Sequence, residues 1–132
     1  MGKRRGTIMV VDDRPEVRLF FEEALSLEGF TVAAVGSGYE ALAALEKGRP
    51  DVIFLDLKMP GMDGIETLRR IKEKDARARV VIVTAYPDVE TAREAMALGA
   101  SDYLGKPCSL ALLLQVADEH LGQLAVPPSR RA

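Results

Sequence analysis

The chain has 132 residues, 48% of them hydrophobic, and its 18 basic and 20 acidic side chains give a formal net charge of −2. This size predicts one globular domain with a single core, and a charge so close to balance argues against a chain that coats nucleic acid or an anionic membrane. The single cysteine, Cys108, excludes an intramolecular disulfide, and residues 1–6 are basic without the apolar stretch of a signal peptide, so we expect a cytoplasmic protein whose partner is another protein.

The first half of the chain alternates between strand and helix patterns. The apolar run at residues 7–12 predicts a strand, and Asp13 with Pro15 predicts the cap and first turn of a helix that ends near Glu28. The apolar positions of this helix recur at three- and four-residue steps and predict its buried face: Val17, Phe20, Phe21, Ala24, Leu25 and Leu27. Residues 30–35 predict a second strand, and a second helix after Gly36-Ser37-Gly38 ends at residues 48–50.

The second half continues the alternation. Residues 51–56 and 79–84 predict strands, and between them a turn-rich loop at residues 59–64 leads into a helix that ends at Asp75. Pro87-Asp88 predicts the start of a fourth helix, with an apolar side formed by Val89, Ala92, Ala95, Met96 and Leu98. After a fifth strand at about residues 101–104, Ser109 caps a last helix with an apolar face of Leu110, Leu113, Leu114, Ala117 and Leu121. This strict alternation predicts a parallel sheet with helices on both faces and right-handed crossovers.

Polar residues stand where four of these strands end. Asp12 and Asp13 follow the first strand, Asp56 the third, Thr84 closes the fourth and Lys106 follows the fifth. Because the carboxyl ends of parallel strands lie at one edge of the sheet, we expect these side chains to converge on one crevice. A hard cation such as Mg²⁺ prefers oxygen ligands, so the three aspartates are candidate metal ligands. Without a cation they repel one another, which predicts lower stability of the metal-free protein.

The same crevice has the groups that phosphoryl transfer requires. A carboxylate can be a nucleophile toward phosphorus, and Asp56, alone at the end of a central strand, is the candidate. Charge that develops on the transferring group needs a cation and a hydrogen-bond donor, which Lys106 and Thr84 would supply. The residues alone therefore predict a site for Mg²⁺ and a phosphoryl group.

These motifs resemble the receiver domain of two-component response regulators over about residues 7–121. The resemblance rests on Asp12-Asp13, the stretch from Val52 to Gly64 around Asp56, Val83-Thr84-Ala85 and Tyr103-Leu104-Gly105-Lys106-Pro107. It implies a CheY-like, flavodoxin-like fold: a doubly wound five-stranded parallel sheet of order 2-1-3-4-5 flanked by five helices. It also implies that Asp56 accepts a phosphoryl group from the phosphohistidine of a sensor histidine kinase or a histidine phosphotransfer protein.

The resemblance also implies further roles. The Mg²⁺ ligands would be Asp12, Asp13, Asp56 and the backbone carbonyl of Lys58. Thr84 and Lys106 would contact the phosphoryl oxygens, and Thr84 with Tyr103 would switch the surface of helix 4, strand 5 and helix 5 toward a partner or a second copy of the chain. Lys58 and Tyr86 lie two residues beyond Asp56 and Thr84, beside the path of the hydrolytic water. We hypothesise that their bulk obstructs that water and slows self-dephosphorylation.

The domain limits and the output follow from the same resemblance. We expect a basic tail at residues 1–6, a receiver domain at 7–122 and a tail or the start of a linker at 123–132. Such a module catalyses only its own phosphorylation and dephosphorylation, and the chain itself would not bind nucleic acid or membrane. The stretch after Thr84 resembles receivers of the nitrogen-regulator type, which precede ATPase and DNA-binding domains of transcription regulators.

Two alternatives remain open at this point. A pseudo-receiver would bind partners without phosphorylation, although the intact acidic set argues against it. An aspartate-nucleophile phosphohydrolase of the haloacid dehalogenase type would carry Asp-x-Asp, whereas position 58 is Lys. On the last helix, Leu112 and Val116 form an apolar pair off the main stripe, which would either contact a partner or pack under the tail, and His120 is expected at the surface.

Overall fold

The computed structural model describes residues 6–85, 87–106 and 109–121. Its strands are β1 (Thr7–Val11), β2 (Thr31–Val35), β3 (Val52–Leu55), β4 (Val80–Thr84) and β5 (Asp102–Gly105). Its helices are α1 (Pro15–Leu27), α2 (Gly38–Leu45), α3 (Gly64–Lys74), α4 (Val89–Ala97) and α5 (Leu110–His120). Every element predicted from the sequence is present, with ends that differ by a few residues at most.

The strands form one parallel sheet in the order β2-β1-β3-β4-β5, which confirms the predicted topology. Val11 pairs with Leu55 across β1 and β3, and Thr84 pairs with Gly105 across β4 and β5. The last residues of these strands therefore lie at one edge of the sheet. The residues that follow them in the chain face the same crevice.

Two apolar layers cover the sheet, because successive strand side chains point to opposite faces. In β1, Met9 and Val11 face one layer, while Ile8 and Val10 face the other. The first layer includes buried side chains of α2, α3 and α4, and the second includes buried side chains of α1 and α5. All residues of β3 and β4 are buried, as expected for central strands covered on both sides.

The predicted cap of α1 is wrong. Arg14, not Asp13, is the N-cap residue, and its side chain makes no capping hydrogen bond. Pro15 occupies the first turn, where a missing N–H costs nothing, and the Arg14 N–H donates to Asp12 Oδ1 at 3.0 Å. Asp12 therefore serves the start of the helix, and the Asp13 side chain is available to the crevice. The predicted Ser109 cap is confirmed, since its Oγ accepts from the Leu112 N–H.

Several predicted helix faces are too wide. On α1, Phe21 and Leu25 are buried, but Phe20 is 51% and Leu27 86% exposed. Each residue advances a helix by 100°, so neither can share the narrow i, i+4 stripe of the buried pair. On α4, Val89 and Met96 are likewise exposed.

The placement of Val116 off the main buried stripe of α5 is also wrong. Val116 is fully buried, because it lies three residues from the core residue Leu113 and shares its stripe. Leu112 is partly buried against the same apolar layer. Among the described residues, none of the helices combines the length and the apolar character needed to cross a bilayer.

Candidate functional site

Three aspartates meet at the carboxyl edge of the sheet, where the sequence predicts them. Asp12 and Asp13 follow β1, and Asp56 follows β3; Asp12 and Asp56 are buried and Asp13 is partly buried. One carboxylate oxygen from each lies within 4.8 Å of the others. Three carboxylates at this separation repel one another, so the group favours a cation between them.

The backbone N–H, the carbonyl and both carboxylate oxygens of Asp12 each make a hydrogen bond. Its N–H donates to the Val35 carbonyl at 3.1 Å, and its own carbonyl accepts from Arg18 Nη1 at 2.8 Å. Oδ1 accepts from the Arg14 N–H at 3.0 Å, and Oδ2 accepts from Lys106 Nζ at 2.8 Å. This residue is thus fixed by β2, α1 and the end of β5 together.

Lys106 supplies the cation of the crevice. Its backbone N–H donates to the Thr84 carbonyl at 2.7 Å, which continues the pairing of β4 with β5 past the last strand residue. The side chain, only 15% exposed, places Nζ 2.8 Å from Asp12 Oδ2 and 3.8 Å from Asp56 Oδ2. One ammonium against three carboxylates leaves a net charge of −2 when all are ionised.

The Asp56 carboxyl is buried, and groups of both charge signs lie near it. Its N–H donates to the Val11 carbonyl at 3.0 Å, and Oδ1 accepts from the Lys58 N–H at a long 3.4 Å. Burial raises the pKa of this carboxyl above 3.8, and the Asp12 charge raises it further, while Lys106 and the Lys58 N–H act in the opposite direction.

The composition of the crevice fits Mg²⁺. The donor atoms are carboxylate oxygens, which hard divalent cations prefer, and the excess negative charge matches a divalent ion. Asp12 already has strong hydrogen-bond partners, whereas the Asp13 carboxylate makes no hydrogen bond or ion pair within the described parts of the chain. Asp13 is therefore the ligand most free to bind an ion.

The two predicted switch residues lie on neighbouring strands. Thr84, the last residue of β4, is fully buried and borders a hollow of about 450 Å³ with Lys58 and Asp88 at its rim. Tyr103 of β5 pairs with Ile82 of β4, and two residues later Gly105 pairs with Thr84. Its ring packs on the apolar layer, and burial raises the pKa of its phenol above 10.0. Its hydroxyl is buried, and a backbone hydrogen bond from Asp88 partly opposes that rise.

Some sequence predictions are untested or wrong here. Tyr86 lies outside the described residues. Lys58 is exposed and lines the cavity beside Thr84. His120 is not on the open surface: its side chain is 20% exposed, and Nε2 lies 4.0 Å from Asp102 Oδ2. His120 is in the last turn of α5, which lies beside β5, and its side chain is therefore partly covered.

Sequence reasoning missed Arg18. This arginine has an apolar neighbour on each side in a helix with mixed polarity, which is the pattern of a solvated cation. Its guanidinium instead reaches the loop between β1 and α1 and binds the Asp12 carbonyl. Only its position one turn into the helix that follows the acidic pair would have pointed to this contact.

Comparison with known proteins agrees with this geometry. The family described as "Response regulator receiver domain" matches residues 8–118. Sporulation initiation phosphotransferase F of Bacillus subtilis is 37% identical over 114 residues, which cover 86% of this chain and 92% of that protein. DNA-binding transcriptional regulator NtrC of Salmonella typhimurium is 43% identical over 104 residues. That match covers 79% of this chain and 22% of NtrC, so the chain spans about a fifth of its length.

A solved structure shows the same architecture. Chemotaxis protein CheY4 of Vibrio cholerae matches with a TM-score of 0.82 and 30% identity, over 86% of this chain and 96% of that one. Proteins of this family interact with histidine kinases or phosphotransfer proteins. The family match covers most of the sequence, and the acids, threonine and lysine stand at the strand ends of the same fold. This chain therefore belongs to the response regulator receiver domain family and functions as a receiver in two-component phosphorelay signalling.

Proposed function

We propose that Asp56 is the phosphoacceptor of this receiver. The observation that carries the proposal is the convergence of Asp56 with Asp12, Asp13 and Lys106 at the carboxyl edge of the sheet. The metal ligands would be carboxylates of Asp12, Asp13 and Asp56 together with the backbone carbonyl of Lys58. Bound there, Mg²⁺ supplies charge neutralisation between the carboxylates and the incoming phosphoryl oxygens.

The chain's own groups would carry the transfer. An Asp56 carboxylate oxygen attacks phosphorus as the P–N bond to the donor histidine breaks, and the departing imidazole takes up a proton from solvent. Lys106 Nζ, 3.8 Å from Asp56 Oδ2, is placed to pair with a phosphoryl oxygen, and the Thr84 hydroxyl would donate to another. We propose that this set serves only the chain's own phosphorylation and dephosphorylation.

The signalling step would be a population shift between two arrangements of the same site. A phosphoryl group on Asp56 would draw the Thr84 hydroxyl and the Lys106 ammonium toward it. Tyr103 would then fill space beside Thr84 and alter the surface of α4, β5 and α5. A Tyr103→Ala protein that is still phosphorylated should lose the change in partner binding. An unchanged response would remove Tyr103 from the switch.

The output and the limits of the domain are also proposals. We assign residues 7–122 to the receiver, 1–6 to a basic tail and 123–132 to a tail or the start of a linker. One relative is matched nearly end to end and another over only about a fifth of its length, so both a separate receiver and part of a longer regulator fit. We further propose a homodimer through α4, β5 and α5, no direct contact with nucleic acid or membrane, and a cytoplasmic location, which suits a chain with one cysteine.

Phosphorylation by a small donor tests the assignment. The full chain is incubated with Mg²⁺ and acetyl phosphate, and intact mass reports one added phosphoryl group. We expect this mass on the wild type and its absence from Asp56→Asn. Asp63→Asn is the matched control, because Asp63 caps α3 through Oδ1 and an asparagine oxygen can accept the same bond. A phosphorylated Asp56→Asn protein would refute the acceptor, and a wild type without any modification would favour a pseudo-receiver.

Size-exclusion chromatography with a beryllofluoride mimic tests the dimer. An earlier elution of the wild type with the mimic, absent in Asp56→Asn, would support dimerisation on activation. An elution volume that stays the same while the mimic binds would refute the homodimer and leave the acceptor assignment in place.

A further inference from the structure

The acidic loop between β1 and α1 is held by a residue outside the acidic cluster. Arg18, partly buried on α1, donates from Nη1 to the carbonyl of Asp12 at 2.8 Å. That carbonyl belongs to the peptide unit that joins Asp12 to Asp13. Because a peptide unit is planar, holding its oxygen fixes the rotation of the whole plane and with it the position of the Asp13 Cα atom.

The Asp13 side chain depends on this plane more than its neighbours do. Asp12 and Asp56 have their carboxylates anchored by Lys106, by backbone N–H groups or by both. The Asp13 carboxylate has no such anchor in the described residues, so its position depends on the backbone of the loop and on its own side-chain rotamer. A charged donor such as a guanidinium makes a stronger hydrogen bond to a carbonyl than a neutral donor does.

Gly36, just after β2, makes room for this guanidinium. A Cβ atom placed on Gly36 would lie 2.9 Å from Arg18 Nη1 and 3.4 Å from Arg18 Cζ. The first distance is shorter than real contacts allow, so any side chain at position 36 would push the guanidinium away from the Asp12 carbonyl. The tip of an arginine is flexible, and the displacement would cost the fold little.

We propose that Arg18, with the space left by Gly36, is the positioning residue that orients Asp13 toward the divalent cation. This inference rests on the proposed function, because it assigns a role within the Mg²⁺ site. Residues behind metal ligands typically change metal affinity by about 10–100-fold when they are lost. Arg18 touches neither the reacting carboxylate nor the transferred group, so it acts only through the loop.

Gly36→Ala is the primary test because it keeps the arginine and its charge. Isothermal titration of the full chain with MgCl₂ should show about tenfold weaker binding than the wild type. The free energy of unfolding in EDTA should fall no further in Gly36→Ala than in Arg18→Met, since both variants lose the same hydrogen bond. Gly48→Ala is the matched control, since nothing lies within 4 Å of its added Cβ, and it should bind Mg²⁺ as the wild type does. At saturating Mg²⁺ the acetyl phosphate labelling rate of Gly36→Ala should return to the wild-type value.

A double-mutant cycle with Arg18→Met shows whether the two positions act together. Arg18→Met removes the hydrogen bond and also a positive charge that opposes cation binding at longer range, so its own effect mixes two contributions. In that background, adding Ala at position 36 should cause no further loss of affinity. The same loss with and without Arg18 would overturn the inference, as would wild-type affinity in Gly36→Ala. If the wild type itself binds no Mg²⁺, the proposed metal site fails and the inference with it.

Discussion

Lys106→Met should destabilise the metal-free protein more than any surface lysine change would. Lys106 Nζ lies 2.8 Å from Asp12 Oδ2 and 3.8 Å from Asp56 Oδ2. With an effective dielectric constant of about 20, these separations correspond to attractions of about 6 and 4 kcal/mol, before the cost of desolvating the three groups. Removing one partner of a buried pair costs about 3–5 kcal/mol, and the partial exposure of Lys106 favours the lower end, so we expect a loss of about 3 kcal/mol.

Mg²⁺ should reverse much of this loss. Without Lys106 the three carboxylates keep only the exposed Arg14 guanidinium, 3.7 Å from Asp12 Oδ1, so a bound divalent ion would neutralise more repulsion than it does in the wild type. A ligand that binds only the folded state stabilises it according to its concentration over its dissociation constant. The increase in unfolding free energy between EDTA and Mg²⁺ should therefore be larger in Lys106→Met than in the wild type.

Urea denaturation followed by circular dichroism measures both quantities. Lys74→Met is the control: Lys74 pairs with the exposed Glu46 at the surface, and such pairs contribute about 1 kcal/mol or less. If Lys106→Met in EDTA is as stable as Lys74→Met, the crevice is not held by its internal ion pair. If Mg²⁺ stabilises Lys106→Met and the wild type equally, the lysine and the metal do not offset the same charges.

Three further predictions concern other parts of the molecule. Hydrogen bonds from the Thr91 N–H and hydroxyl lower the pKa of Asp88 below 3.8, so its contribution to stability is present above pH 3.8 and is lost as the pH falls through the lower folded value. The stability of the wild type relative to Asp88→Asn, measured by urea titration, should therefore shrink on acidification; a constant difference would refute this. Gly64→Ala would place a Cβ atom 2.4 Å from Leu57 Cα and 2.5 Å from the Asp56 carbonyl, and should cost about 1–3 kcal/mol or more, whereas Gly48→Ala should change stability by about 0.5 kcal/mol at most, both read from urea midpoints. Equal urea midpoints for the two variants would show that the backbone around Gly64 accommodates the added methyl group without loss of stability. Lys58→Asn combined with Tyr86→Glu should shorten the lifetime of the phosphoryl group, followed by intact mass after acetyl phosphate is removed, and an unchanged lifetime would exclude obstruction of water by these two side chains.

The convergence of the site could be predicted because it follows from topology. Once the strands alternate with helices, a parallel sheet places every strand end at one edge, and no side-chain detail is needed to bring Asp12, Asp56 and Lys106 together. The strand order, in contrast, is predicted from the resemblance to receiver domains and not from topology alone. The predicted element ends missed by a few residues, since propensity changes gradually where a strand becomes a loop.

The wrong predictions share one cause: each depends on contacts between elements, which the sequence pattern does not show. Hydrophobic periodicity marks the apolar residues of a helix but not how wide a stripe its neighbours cover, so the pattern predicts Leu27 and Val89 in the buried stripes and Val116 off the main one. The predicted cap of α1 is wrong because Asp13 and Arg14 both precede a proline, and only the Arg14 carbonyl, which accepts from the Val17 and Arg18 N–H groups, decides between them. Arg18 was missed because a guanidinium can reach across a loop in ways that spacing does not encode.

The ion pair of Lys106 gives a physical basis for a switch of side chains rather than of backbone. In the unmodified protein the ammonium lies closer to Asp12 than to Asp56. Phosphorylation would replace one negative charge at Asp56 by about two and bring oxygens closer to Nζ, which would reverse that preference. The backbone N–H of Lys106 is already bonded to the Thr84 carbonyl, so the ammonium can move while β4 and β5 stay paired. With that pairing kept, the proposed response of the Thr84 hydroxyl and the Tyr103 ring would be confined to the α4, β5 and α5 surface.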